Sequence, residues 1–142
     1  MSVSQPVLTP PAGGETLRYG SGSTTEIKVA ASDTGGEYGA VLYTVHPGDE
    51  PPLHTHTRED ELVYVIEGSL TAHVGDAKID VGPGAFAALP RGVPHTITVT
   101  SEQAQLLLTF VPGGLERFFV PAAGTEPDPG MFGLEIHGAV PA

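Results

Sequence analysis

"PPLHTHTREDELVYVIEG", residues 51–68, is the stretch on which the reading of this chain turns. It places His54 and His56 one residue apart, ahead of the three acids Glu59, Asp60 and Glu61, the apolar run Leu62–Ile66 and Gly68. On an α-helix, residues i and i+2 point about 200° apart and could not share an ion. On a β-strand they stand on the same face, roughly 6.6 Å apart at Cα, and two imidazoles can converge. Pro51 and Pro52 block entry into a helix, while Thr55 and Thr57 favour extension. The local geometry therefore permits a metal site. Taken alone, a His-x-His pair is more often incidental to a solvated loop.

Two further features change that weighing. The acids at 59–61 directly precede the expected strand Leu62–Glu67, so one carboxylate can complete a set of two histidines and an acid. A turn across residues 57–60 breaks the register, and strand parity does not select among the three. The other two are expected on an ordinary solvated hairpin. The second feature is "GAFAALPRGVPHTI", residues 84–97, where Pro90, Gly92 and Pro94 shape a tight turn that delivers His95 to the start of another strand.

Beyond these stretches the chain reads as one all-β domain. Gly (19) and Pro (14) do not form a low-complexity tract but punctuate short β-branched runs. Those runs are residues 24–31, 40–46, 62–67, 70–74, 77–81, 85–89, 96–100 and 104–111, a spacing that suggests a sandwich or barrel. Residues 1–14 are expected to form a flexible or draped N-terminal segment, residues 15–114 the barrel, and residues 115–142 an extension. In that extension, residues 115–120 (LERFFV) make a helical turn or two, and residues 131–140 make a last short strand. Phe118, Phe119 and Phe132 need cover, from the barrel or from a partner subunit.

Composition excludes some chemistry. There are no cysteines, hence no disulfide, thiolate nucleophile or Cys-type zinc site. A formal net charge of −11 argues against nucleic acid or an anionic membrane as partner. The longest strongly apolar run is far too short to span a bilayer and no targeting segment is evident, so a soluble cytoplasmic protein is expected.

The histidine stretches resemble the two motifs of the cupin superfamily. Gly48, five residues, His54, one residue, His56, four residues, Glu61, six residues and Gly68 match the first. Gly84, five residues, Pro90, one residue, Gly92, two residues and His95 match the second. The second motif ends in Asn where this chain has Val99, a departure that touches the hydrogen bonding behind His95 and not the ligand set. "DTGGEY" (33–38), "PRGVPHT" (90–96) and "TFVPGGLERFF" (109–119) are similar to the small single-domain cupins related to quercetin 2,3-dioxygenase.

That resemblance implies a double-stranded β-helix, or jelly-roll barrel, with a short C-terminal helical turn and tail. It implies His54, His56, Glu61 and His95 as ligands of one divalent transition metal (Fe, Mn, Ni, Co, Cu or Zn), with Glu59 and Asp60 left on the hairpin. It implies a dioxygenase acting on an enolic or hydroxylated aromatic molecule, with Glu61 as general base. The alternatives are a non-redox isomerase, cyclase or lyase, or a non-catalytic binding module. A homodimer is expected. If Glu61 points inward, Val63 and Val65 do too, and Leu70, Ala72 and Val74, with Leu106, Leu108 and Phe110, supply further apolar faces. No Lys or Arg lies on these faces, and Arg58 and Arg91 fall in turns, so a neutral or aromatic ligand is expected over a strongly anionic one. His46, His73 and His137 are read as surface residues.

Overall fold

The structure is a computed structural model and describes residues 5–139. Its strands, in chain order, are β1 (Thr16–Tyr19), β2 (Ser23–Val29), β3 (Gly39–Val45), β4 (Leu53–His56), β5 (Asp60–Glu67), β6 (Leu70–Val74), β7 (Ala77–Val81), β8 (Phe86–Leu89), β9 (His95–Val99), β10 (Ala104–Val111) and β11 (Leu134–Gly138). One α-helical turn, α1 (Glu116–Phe119), falls inside the LERFFV segment. Strand β4 is not among the runs expected from the sequence, although its residues favour extension, and β1 is absent from the expectation altogether. The latter is a short, mostly exposed edge strand pairing with β2 alone, so it carries little apolar alternation to read.

The strands form two antiparallel sheets, ordered β1-β2-β3-β10-β5-β8 and β11-β4-β9-β6-β7. They close face to face as the expected jelly roll. Alternation aims Val41, Tyr43 and Val45 of β3 and Ala104, Leu106, Leu108 and Phe110 of β10 into one core. Phe110 is fully buried, a burial that contributes roughly 2–3 kcal/mol. Gly68 turns β5 into β6 at φ 84°; a Cβ there would meet the Gln103 carbonyl oxygen at 2.2 Å, which explains why only glycine fits.

The three C-terminal phenylalanines find cover on their own barrel. Phe118, Phe119 and Phe132 are half-buried against the barrel core, with Phe119 stacked on Phe110 at 5.6 Å between centroids and Phe118 against Phe132 at 5.6 Å. Of the two covers expected from the sequence, barrel or partner subunit, this packing supplies the first. Glu116 pins the turn: its buried carboxylate accepts hydrogen bonds from the Ala31 and Gly114 amides at 2.7 and 2.8 Å. Residues 1–4 of the expected N-terminal segment lie outside the described residues. Beyond them the segment lies along β2, where Thr9 Oγ1 donates to the Lys28 carbonyl and Lys28 Nζ to the Gly13 carbonyl.

Two of the histidines expected at the surface lie away from the barrel interior as foreseen. His46 Nε2 lies 3.2 Å from Gln103 Oε1, and the exposed His137 meets Thr55 Oγ1 at 2.7 Å. His73 does point away from the interior but is buried, not exposed. Strand β6 lies between β7 and β9, whose side chains cover that face, and His73 Nε2 meets Thr98 Oγ1 at 3.1 Å. No helix among the described residues is long and apolar enough to cross a membrane.

Candidate metal centre

Four strand positions bring the site together. His54 and His56 share the inner face of β4, as the extended reading requires. His95 opens β9, the neighbour of β4, and sits directly across the ladder from His54. Glu61 comes from the other sheet: β5 begins at Asp60, so parity turns Asp60 outward and Glu61 inward. Asp60 accepts from the Arg91 amide at 3.0 Å and from Arg91 Nε at 3.1 Å, tying the head of β5 to the Pro-Gly turn that presents His95.

All four side chains are buried. The three imidazoles offer ring nitrogens that all lie within 4.8 Å of one another. His54 Nε2 is 3.2 Å from His56 Nε2, and Glu61 Oε1 is 3.1 Å from His56 Nε2 and 3.7 Å from His95 Nε2.

The outer nitrogen of each ring decides what the inner one can do. His54 Nδ1–H donates to the Pro52 carbonyl at 2.7 Å and His95 Nδ1–H to the Val93 carbonyl at 3.2 Å. A carbonyl only accepts, so both rings keep their proton on Nδ1 and turn a bare Nε2 lone pair inward. His95 Nε2 is accordingly buried with no hydrogen-bond partner. Bare Nε2 lone pairs of His54 and His95, gathered with His56 Nε2 beside the buried Glu61 carboxylate, are what a bound cation satisfies, so the donor set fits a metal ion. The Val93 carbonyl also answers the departure at position 99. Val99 packs in the core, and its amide donates to Glu50 Oε2 at 2.9 Å.

Glu59 is the residue that sequence reasoning misplaced. It was expected on a solvated hairpin with Asp60, yet it is buried, and His56 Nδ1–H donates to its Oε1 at 3.2 Å. The bend at residues 57–59 turns it inward. That bend is held by the C-terminal segment: the Thr57 amide and hydroxyl both donate to the Gly133 carbonyl, at 3.0 and 2.6 Å, and Arg58 Nη1 donates to the Met131 carbonyl. The Gly92 amide donates to the His56 carbonyl at 2.8 Å.

These contacts separate the ionisation of the four groups. Burial, reinforced by the neighbouring His95 and His56, holds His54 down to about 4. For His56 burial acts in the same direction, but hydrogen bonds to Glu59 and Glu61 outweigh it and raise the ring to about 9. Burial would raise Glu61, but the His56 and His95 imidazoles outweigh it and hold the carboxyl at about 2. In the absence of an ion, a protonated His56 thus stands between two carboxylates.

The centre opens onto an apolar cavity of about 100 Å³. Val63, Val65, Leu70, Ala72, Val74, Leu106 and Leu108 line it, as the alternation implied, with Tyr43 and Phe119 across from them. No Lys or Arg is among the lining residues. Arg58 and Arg91 are spent on the loop contacts described above.

A cupin domain model matches residues 41–112, the span holding all four side chains. The chain belongs to the cupin family. Within it, this cupin is 25% identical to quercetin 2,3-dioxygenase of Bacillus subtilis (strain 168) over 114 residues, covering 80% of this chain and 34% of that protein. It is 33% identical over 101 residues to oxalate decarboxylase of the same organism, covering 68% of this chain and 26% of that protein. The chain thus spans about a third and about a quarter of the lengths of these relatives. Among solved structures it is similar to the polyketide cyclase RemF from Streptomyces resistomycificus, with a TM-score of 0.55 and 26% identity, covering 63% of this chain and 64% of that one.

Proposed function

We propose that this cupin holds one divalent transition metal on His54, His56, His95 and Glu61, and acts as an oxygenase on an enolic or hydroxylated aromatic small molecule. The observation that carries the reading is the junction of a cation-free apolar cavity with three converging Nε2 atoms. The ligand set suits several metals and selects none. When bound, the ion supplies a Lewis acid for a chelating oxygen and, if redox-active, a partner for dioxygen.

The chain's own residues do the rest. The apolar walls exclude water and favour a neutral, ring-bearing ligand over an anion, because no cationic side chain offsets added negative charge. A space near 100 Å³ compares with the ~150 Å³ cavities that accept benzene, so it suits a ring-sized fragment. Glu61 is the proton acceptor for the ligand's hydroxyl. Held at about 2 by its two imidazole partners it is a weak base, so this role belongs to a Glu61 turned away from them.

Likeness to the Bacillus subtilis quercetin 2,3-dioxygenase supports the oxidative reading. Likeness to oxalate decarboxylase and to a polyketide cyclase favours a second one, in which the same centre serves non-redox lyase or cyclase chemistry. Turnover of flavonols, catechols and enolic diketones by the metal-loaded protein, with and without dioxygen, separates them. Consumption of substrate only in air supports the oxygenase. Equal rates without dioxygen support the second reading, and no turnover in either condition sinks both. Metal analysis of untagged, chelator-free protein beside His54→Ala and His95→Ala tests the centre itself. Undiminished metal in both variants would eliminate it.

A further inference from the structure

The three imidazoles are not held alike. Those of His54 and His95 are fixed from behind by main-chain carbonyls, of Pro52 and Val93. Only His56 is backed by a charge, the carboxylate of Glu59 at 3.2 Å. Glu59 is 4% exposed, and its side chain belongs to the bend between β4 and β5 rather than to either strand. A buried carboxylate is costly unless something close by repays it. No Lys or Arg does so here: Arg58 donates to the Met131 carbonyl and Arg91 to Asp60. The partner that Glu59 does have is the His56 ring.

We infer that Glu59 is a positioning residue of the metal centre, orienting the His56 imidazole and supplying the second of two buried negative charges that a divalent cation balances. This rests on the metal-binding reading above and deepens it. The contact fixes the His56 tautomer with its proton on Nδ1, so Nε2 faces the other two histidines. It also makes His56 the most electron-rich of the three imidazole donors, since its N–H is shared with an anion and not with a neutral carbonyl. Glu61 on the Nε2 side of His56 and Glu59 behind its Nδ1 then place two buried carboxylates about one ion held among neutral imidazoles. A dication brings the local charge to zero.

The test uses the full chain with Zn2+ as the affinity probe, by competition against a chromophoric chelator, and Cu2+ as the spectroscopic probe. Four proteins are compared: wild type, Glu59→Ala, Glu59→Gln, and Glu102→Gln, which removes an exposed acid from the β9–β10 turn, at the opposite end of β9 from His95. Glu59→Ala is expected to weaken Zn2+ binding on the order of 10- to 100-fold. Glu59→Gln keeps an acceptor but not the charge and is expected to fall between it and wild type. Glu102→Gln is expected to bind as wild type does. The Cu2+ EPR parameters are expected to shift in both Glu59 variants, which a purely structural role for Glu59 would not produce. If Glu59→Ala does not fold, Glu59→Gln decides by the same two readouts. Wild-type affinity and an unchanged Cu2+ spectrum in the folded Glu59 variants overturn the inference while leaving the metal centre standing. A wild type that binds neither ion overturns both.

Discussion

Loading the centre is expected to expel a proton from His56, and the structure sets the size of the effect. Without metal, His56 is raised to about 9 and its Nε2–H faces Glu61 Oε1 at 3.1 Å. His54, held down to about 4, and Glu61, held at about 2, carry no proton near neutrality. An ion that takes the His56 Nε2 lone pair must therefore displace one proton from that ring. Because the raised value belongs to the metal-free state, affinity climbs as pH rises and levels off above about 9. One proton over the two pH units from 7 to 9 is about a hundredfold in affinity, roughly 3 kcal/mol. Calorimetric titration at pH 7.5 in two buffers of different ionisation enthalpy reads the count directly, with Zn2+ delivered from a weak chelator whose own protonation is subtracted. The expected contribution from His56 is about one proton at pH 7.5, fading by pH 10. In Glu59→Gln the fading is expected at lower pH, because one of the two carboxylates that hold the proton has lost its charge. A proton count at pH 7.5 no higher than that at pH 10 would refute the reasoning, since the His56 proton would then not be where the geometry puts it.

Phe110→Ala removes a ring with no exposed surface that stacks on Phe119 and lies 6.2 Å from the His56 ring; a loss of about 3–5 kcal/mol is expected in urea unfolding, with weakened metal binding alongside. Glu116→Ala strands the Ala31 and Gly114 amides and is expected to cost about 3 kcal/mol by the same measurement, with Glu116→Gln costing less because the amide oxygen still accepts one bond. Gly133→Ala forces a side chain onto φ 71° and brings its Cβ to 2.7 Å from Thr57 Oγ1. It is expected to lose about 1–2 kcal/mol and to loosen the bend that carries Glu59, read as a lower melting temperature together with weaker Zn2+ binding.

The sequence by itself determined the layers and most of the centre. The hairpin strands β6 and β7 and the long β10 were readable residue for residue, because their apolar runs end at glycine or at polar turns. His54 and His56 follow from the two-residue period of an extended chain that two prolines keep out of a helix. The resemblance to the two cupin motifs pointed to His95 and Glu61, neither of which strand parity selects. Tertiary structure decided what periodicity cannot carry. The bend at residues 57–59 turned Glu59 inward because the Gly133 carbonyl and the Met131 carbonyl, some 75 residues away, hold Thr57 and Arg58. The sequence left open whether the barrel or a partner subunit covers Phe118, Phe119 and Phe132, and the fold packs all three against the barrel core. His73 was read correctly for direction and wrongly for burial, since alternation reports which face a side chain takes and not what neighbouring strands lay over it. The orientation of His95 passed to a main-chain carbonyl at Val93, a group every residue has and no sequence pattern marks. Side-chain type and period are local and written in the chain; the partner behind each ligand depends on which distant backbone the fold brings within hydrogen-bond reach.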